Sequence, residues 1–159
     1  MSQAVVAKLK QEFPAAVVNT VEHRGEITVT VNKDDIVAAC TFLKDVAGYN
    51  FLCDLCGVDY LGSEPRFMVV YNLYNIETKE RLRVKAAVSE DDCCIDTVSG
   101  VWSTANWPER ECWDMYGIAF NNHPDLRRIL MPADWEGYPL RKDYPLQGPE
   151  REPYQGRLS

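Results

Sequence analysis

The sequence has little of what enzymes and metal proteins use for chemistry. It holds two histidines, His23 and His123, and neither stands at ligand spacing from a cysteine or a carboxylate. No G-x-G-x-x-G or G-x-x-x-x-G-K-S/T loop is present to cradle a phosphate. No Ser or Cys lies in a nucleophile-elbow context. Basic residues are outnumbered, 17 Lys and Arg against 24 Asp and Glu, and the net charge of −7 argues against a nucleic-acid binder or a polybasic membrane surface. No run approaches the roughly 18 consecutive apolar residues that a membrane span needs. The start, MSQAVVAKLKQEF, does not read as a secretory leader, because Lys8, Lys10 and Glu12 break its apolar run. The chain is therefore expected in the cytosol, its six cysteines as thiols, reaching a membrane only through a partner.

What is present is an ordinary globular composition, 46% hydrophobic and 26% charged over 159 residues, enough for one core and an appendage. Val5, Val6, Leu9 and Phe13 share one face of a short first helix that Ser2 can cap and Pro14 ends. Residues 16–22 and 26–31 read as a hairpin turning at Arg24-Gly25, with Ile27, Val29 and Val31 alternating inward. Ile36, Ala39, Cys40, Leu43, Val46 and Ala47 follow the helical period, with Gly48 after the last turn. Strands follow near 49–55, 66–75 and 80–88. The last alternates Leu82, Val84, Ala86 and Val88 against Arg81, Arg83 and Lys85. This order implies an α+β fold, a mostly antiparallel sheet with helices on one face.

CDLC, Cys53 to Cys56, invites a zinc or redox reading. A tetrahedral site needs two more ligands, and the other close pair, Cys93-Cys94, lacks the usual second spacing. On a regular strand, positions three apart also face opposite ways. The pair is read as two small, mostly buried hydrophobes.

After residue 96 the texture changes. Asn106, Pro108 and Gly117 suit the cap, first turn and end of a helix carrying ERECWD, Glu109 to Asp114. Locally, those charges make acids near a helix start and an Arg110–Asp114 pair. Beyond Ile118 no period persists. Seven of nine prolines lie at or after Pro108, which rules out a helix or central strand there. Yet HPDLRRILMPADWEGYPLRKDYPLQGPE, from His123, mixes Arg127, Arg128, Arg141 and Lys142 with Leu126, Ile129, Leu130, Trp135, Tyr138, Leu140 and Tyr144. Aromatic residues and Arg are the types that dominate interfaces, and proline lowers the entropy of ordering an extended segment. The stretch reads as a partner-binding tail, with a wrap over its own sheet as the alternative. The division expected is residues 1–120 as the α+β domain and 121–159 as the proline- and aromatic-rich tail.

The run ERECWDMYGIAFNNHPDLRRILMPADWEGYPLRKDYPL closely resembles the thirty-kilodalton, or C, subunit of proton-pumping NADH:quinone oxidoreductase, respiratory complex I. Glu109, Arg110 and Glu111 match the family's opening, Asp114 its following acid, and Met115 and Tyr116 the pair after it. His123, then Arg128 with Ile129 and Leu130, continue the pattern, and Pro139 to Leu146 complete it. The resemblance covers about a quarter of the chain.

It implies a non-catalytic subunit of the hydrophilic arm that braces the quinone-reducing module. FMN and iron–sulfur clusters would sit on partner subunits and no cofactor on this chain. The C-terminal segment would lie across the larger D subunit of complex I, near the B and I subunits, on the cytoplasmic side of the cell membrane. The residues then expected at the partner interface are Glu109, Arg110, Glu111, Asp114, His123, Arg127, Arg128, Trp135, Arg141, Lys142, Asp143 and Tyr144. The same subunit type occurs in relatives that take electrons from ferredoxin or a deazaflavin, and in membrane-bound hydrogenases.

Overall fold

The computed structural model describes residues 2–148. The side chain of Ser2, read as a helix cap, and the end of the expected tail, residues 149–159, lie outside that description.

Five strands form one sheet: β1 (Val17–His23), β2 (Glu26–Val31), β3 (Phe51–Asp59), β4 (Phe67–Tyr74) and β5 (Arg81–Val88). Their order is β1-β2-β5-β4-β3. Every pairing is antiparallel except β2 with β5, which run parallel, Val29 opposite Val84. The reason is the route of the chain. After β2 it crosses through α2 (Ile36–Asp45) to the far edge as β3, then returns strand by strand until β5 meets β2.

The alternation read from the sequence sets the faces. Val29, Val31, Leu82, Val84, Ala86, Val69 and Tyr71 point into one core with Val6 and Leu9 of α1 (Ser2–Glu12) and Ile36, Ala39, Cys40 and Leu43 of α2. Arg81, Arg83 and Lys85 lie on the other, wetter face. Val46, expected inside, follows the end of α2 at Asp45 and is 66% exposed.

Two features escape a strictly periodic reading. The register of β3 shifts between Leu52 and Asp54, a bulge that leaves Cys53 without an opposite residue. Cys53 is therefore exposed and Cys56 half-buried on the open face, neither of them core hydrophobes nor on opposite sides. The second feature is a parallel pair of three-residue strands, β6 (Cys94–Asp96) and β7 (Ala119–Asn121), too short to show a period.

Between them, a 3-10 turn, Ser103–Ala105, runs straight into α3 (Asn106–Tyr116). The position before the helix is Ala105, itself helical, so Asn106 does not cap it. Gly117, with φ of 77°, ends α3 in the left-handed conformation that glycine adopts without penalty, and its N–H bonds Trp113 O at 2.9 Å. α3 settles on β3 at Gly57, where an added Cβ would stand 2.7 Å from the Tyr116 ring. Among the described residues, no helix is long and apolar enough to cross a membrane.

Gly57→Ala should push Tyr116 off β3 and cost about 1–3 kcal/mol. A lowered urea midpoint with unchanged slope would register it.

Candidate functional site

The described part of the tail, after β7, has no regular element and folds back along α3. Its attachment begins at Asp114. Helical spacing places that side chain on the face of α3 that the returning tail covers, and it is fully buried. One oxygen, Oδ2, accepts three consecutive backbone amides, Ile129 at 3.0 Å, Leu130 at 2.7 Å and Met131 at 2.9 Å. The other, Oδ1, meets the Arg128 guanidinium at 2.6 Å. Burial pushes the carboxyl up, but the Met131 amide, Arg128 and the Leu130 and Ile129 amides outweigh it and hold it below the ordinary carboxylate range.

Arg128 reaches further. It donates to the carbonyls of Trp135 at 2.8 Å and Gly137 at 3.2 Å, tying down the next turn of the tail. Arg110, one helical turn before Asp114, forks onto the Arg127 and Arg128 carbonyls at 3.1 and 3.0 Å. The local Arg110–Asp114 pair expected from spacing is thus replaced, because each side chain finds a better-placed partner in the tail.

A second clamp holds the far end. Arg66, at the start of β4, is buried and grips Asp59 with Nε and Nη2, both at 2.9 Å. The same guanidinium forks onto Asp143 of the tail at 2.7 and 3.1 Å and bonds Glu90 at 2.7 Å. The Lys142 amide donates to Asp59 at 2.8 Å. Arg66 holds the Asp59 and Asp143 carboxyls below their ordinary range. Arg141 donates to the Tyr116 carbonyl at 2.6 Å, and the Leu140 amide bonds the Met115 carbonyl at 3.1 Å.

Rings fill the spaces between the cations. Arg128 lies 5.7 Å from both the Trp113 and Tyr138 rings. Arg141 lies 4.7 Å from Tyr138 and 5.0 Å from Phe67, and Arg66 lies 4.9 Å from Phe67. The result is an alternating stack, Trp113–Arg128–Tyr138–Arg141–Phe67–Arg66, running from helix through tail to sheet, in which each contact is worth about 0.5–2 kcal/mol. Gly117 admits it: a Cβ there would stand 2.6 Å from the Tyr138 ring and 2.8 Å from the Arg141 guanidinium.

Of the other residues singled out by sequence, Glu111 and Lys142 face solvent, and Arg127 is exposed beside Asp125 at 2.9 Å. Trp135 and Tyr144 are half-buried, the Tyr144 ring against Gly137. Glu109 is fully buried, accepting from the Val98 amide at 2.8 Å and the Thr97 hydroxyl. Burial pushes its carboxyl up to about 7 against the pull of Thr97 and Val98. His123 bridges the start of the tail to α3: its Nδ1 accepts the Asp125 amide at 3.0 Å and its Nε2 lies 3.1 Å from the Asn106 carbonyl.

Arg128, Arg141 and Asp143, expected at a partner interface, thus make bonds within the chain. Asp59, Arg66 and Glu90 belong to the site as well. Sequence reasoning missed them, since a charged residue at a strand end reads as solvated until its neighbours are known. Among the described residues, no group of three or more His, Cys, Asp or Glu is disposed to hold a metal ion.

Residues 29–150 match the family described as the respiratory-chain NADH dehydrogenase 30 Kd subunit. The chain is 63% identical over 154 residues to the NADH-quinone oxidoreductase C subunit of Geotalea uraniireducens, covering 97% of this chain and 94% of that protein. It is 65% identical over 155 residues to the same subunit of Geobacter metallireducens, covering 97% and 96%. A solved structure of Nqo5, a trypsin-resistant fragment (1–134), superposes with a TM-score of 0.69 at 30% identity, over 78% of this chain and 98% of that one.

Asp114→Asn should cost roughly 3–5 kcal/mol, since it breaks a pair whose carboxylate is fully buried and leaves Arg128 without its counter-charge. The acids of both clamps contribute stability that is present above about pH 4 and lost as pH falls through their depressed values. The gap in melting temperature between wild type and Asp114→Asn should therefore close below about pH 4, where protonation does what the substitution does.

Proposed function

This chain belongs to the NADH-quinone oxidoreductase C-subunit family, the 30 Kd subunit of the respiratory-chain NADH dehydrogenase, and on that premise we propose that it serves the complex as a structural brace rather than as a catalyst. The reading is of a subunit of the hydrophilic arm that supports the quinone-reducing module, its tail laid across the D subunit and near the B and I subunits. Electrons would travel through FMN and iron–sulfur clusters on those partners and others. This chain would attach to the cytoplasmic face of the membrane through them.

One observation supports this reading above the rest. Arg128, Arg141 and Asp143 turn inward to fasten the tail, while Leu130, Leu140 and Leu146 point outward and are 56%, 51% and 103% exposed. A segment fastened by that many charged contacts, yet presenting leucines to water, suits a partner that covers them. It also meets that partner already ordered, so little conformational entropy remains to be lost on docking. In this arrangement Arg128, Arg141 and Asp143 shape the interface from beneath, and the tail's outer side chains make the contact.

The test is a mild-detergent pull-down from native membranes with this chain tagged. The D, B and I subunits should co-purify with the NADH-oxidising flavoprotein; recovery of the chain alone would overturn the proposal. Leu130→Glu with Leu140→Glu should keep the melting temperature of the isolated chain within about 3 °C while reducing co-purification several-fold, as expected of exposed positions that matter only at an interface. Full recovery of partners by that variant would remove the outward face of the tail from the contact.

A further inference from the structure

Glu109 differs from the other acids of the site. Asp59, Asp114 and Asp143 each face a guanidinium, whereas the hydrogen bonds of Glu109 come from an amide and a hydroxyl. From the loop after β6 come the Val98 amide at 2.8 Å and the Thr97 hydroxyl. From the start of the tail comes His123, its Nε2 3.7 Å from Oε2. Because Nδ1 of that ring accepts the Asp125 amide, the ring proton sits on Nε2, which donates to the Asn106 carbonyl. α2 contributes Cys40, β4 contributes Tyr71 and α3 contributes Cys112. Burial pushes all three up, so they stay uncharged. The Tyr71 hydroxyl is buried without a hydrogen-bond partner.

The carboxyl has a route outward. The Thr97 hydroxyl lies 2.8 Å from the Ser99 hydroxyl, and Ser99 is half-buried. The chain of three satisfies both protonation states. With Glu109 ionised, Ser99 donates to Thr97 and Thr97 to Glu109. With Glu109 protonated, every donor reverses, Glu109 to Thr97 and Thr97 to Ser99.

We propose that Glu109 is a proton-binding site of the folded chain, exchanging with solvent through Thr97 and Ser99, and that losing the proton loosens the joint between α3, the 97–99 loop and the start of the tail. The geometry explains the loosening. A bare carboxylate there has to be answered by a proton on the adjacent imidazole or by water. A proton on Nδ1 of His123 removes the acceptor of the Asp125 amide. Water has to part α3 from the loop to enter. Since burial raises the carboxyl to about 7, its contribution to stability is complete below its ordinary value of 4.5 and is lost as pH rises through 7. This is opposite in sign to the clamps, which weaken on acidification. The inference concerns the isolated fold and stands or falls independently of the assembly proposed above.

The experiment uses the full chain. Carboxyl carbons of labelled glutamate are followed by NMR from about pH 5 to 9, alongside amide hydrogen exchange of residues 121–126 corrected for its intrinsic pH dependence. One glutamate should titrate near neutrality, and protection of 121–126 should fall at least about tenfold across the same midpoint. In Glu109→Gln that resonance should vanish and protection become independent of pH, whereas a purely structural loss would lower protection equally at every pH. Thr97→Val removes a hydrogen bond that favours the charged form, so the midpoint should rise. If Glu109→Gln does not fold, the wild-type titration and the Thr97→Val shift decide the matter. Absence of a glutamate titrating near neutrality, or pH-independent protection in the wild type, would overturn the proposal.

Discussion

A single buried carboxylate, Asp114, sets where the chain turns back along α3. A carboxylate removed from water needs its lone pairs filled, and this one is filled by an arginine and three successive amides of the tail. Three consecutive N–H groups can converge on one oxygen only if the backbone curls around it. The turn at 129–131 is therefore shaped by the charge beneath it rather than by any propensity of its own residues. Asp114 in turn is in position only because Gly117 ends the helix a turn later and sends the chain back.

Arg66 plays the complementary part at the other end, a buried cation shared between Asp59 of the sheet and Asp143 of the tail. Between these two points the stack of guanidinium groups and rings keeps the cations partly desolvated and close to π faces. The consequence is that the described part of the tail, without a regular element after β7, is nonetheless multiply bonded. A segment of this sort answers to charge geometry, so its register survives as long as both clamps are ionised. Glu109, adjacent but without a guanidinium partner, follows the opposite logic, burial pushing its carboxyl up to about 7.

Legibility from sequence varied with how local each feature is. The inward set of β5 and the buried face of α2 were visible because a half-buried element must repeat with its own period, and Leu82, Val84, Ala86 and Val88, like Ile36, Ala39, Cys40 and Leu43, do so. The bulge in β3 was not, since an inserted residue leaves no mark in residue type, and its cost was a misplaced Cys53. β6 and β7 are too short to repeat. Most side chains of the site were legible individually, from Glu109 to Tyr144, through the family pattern and through their interface-like composition. Their bonding was not, because Arg128 could as well have met a carboxylate on another chain as Asp114 on its own.

The sequence alone determined the fold class, the strands of the five-stranded sheet and the family to which the chain belongs. These follow from periodicity and from residue types at fixed spacing, which a linear string carries in full. Only the tertiary structure decided that β5 lies parallel beside β2, that Asp59 and Arg66 reach Asp143, and which charged groups are sealed from water. Such outcomes depend on distances between residues far apart in the chain, and the free energy of a charge depends on what surrounds it there.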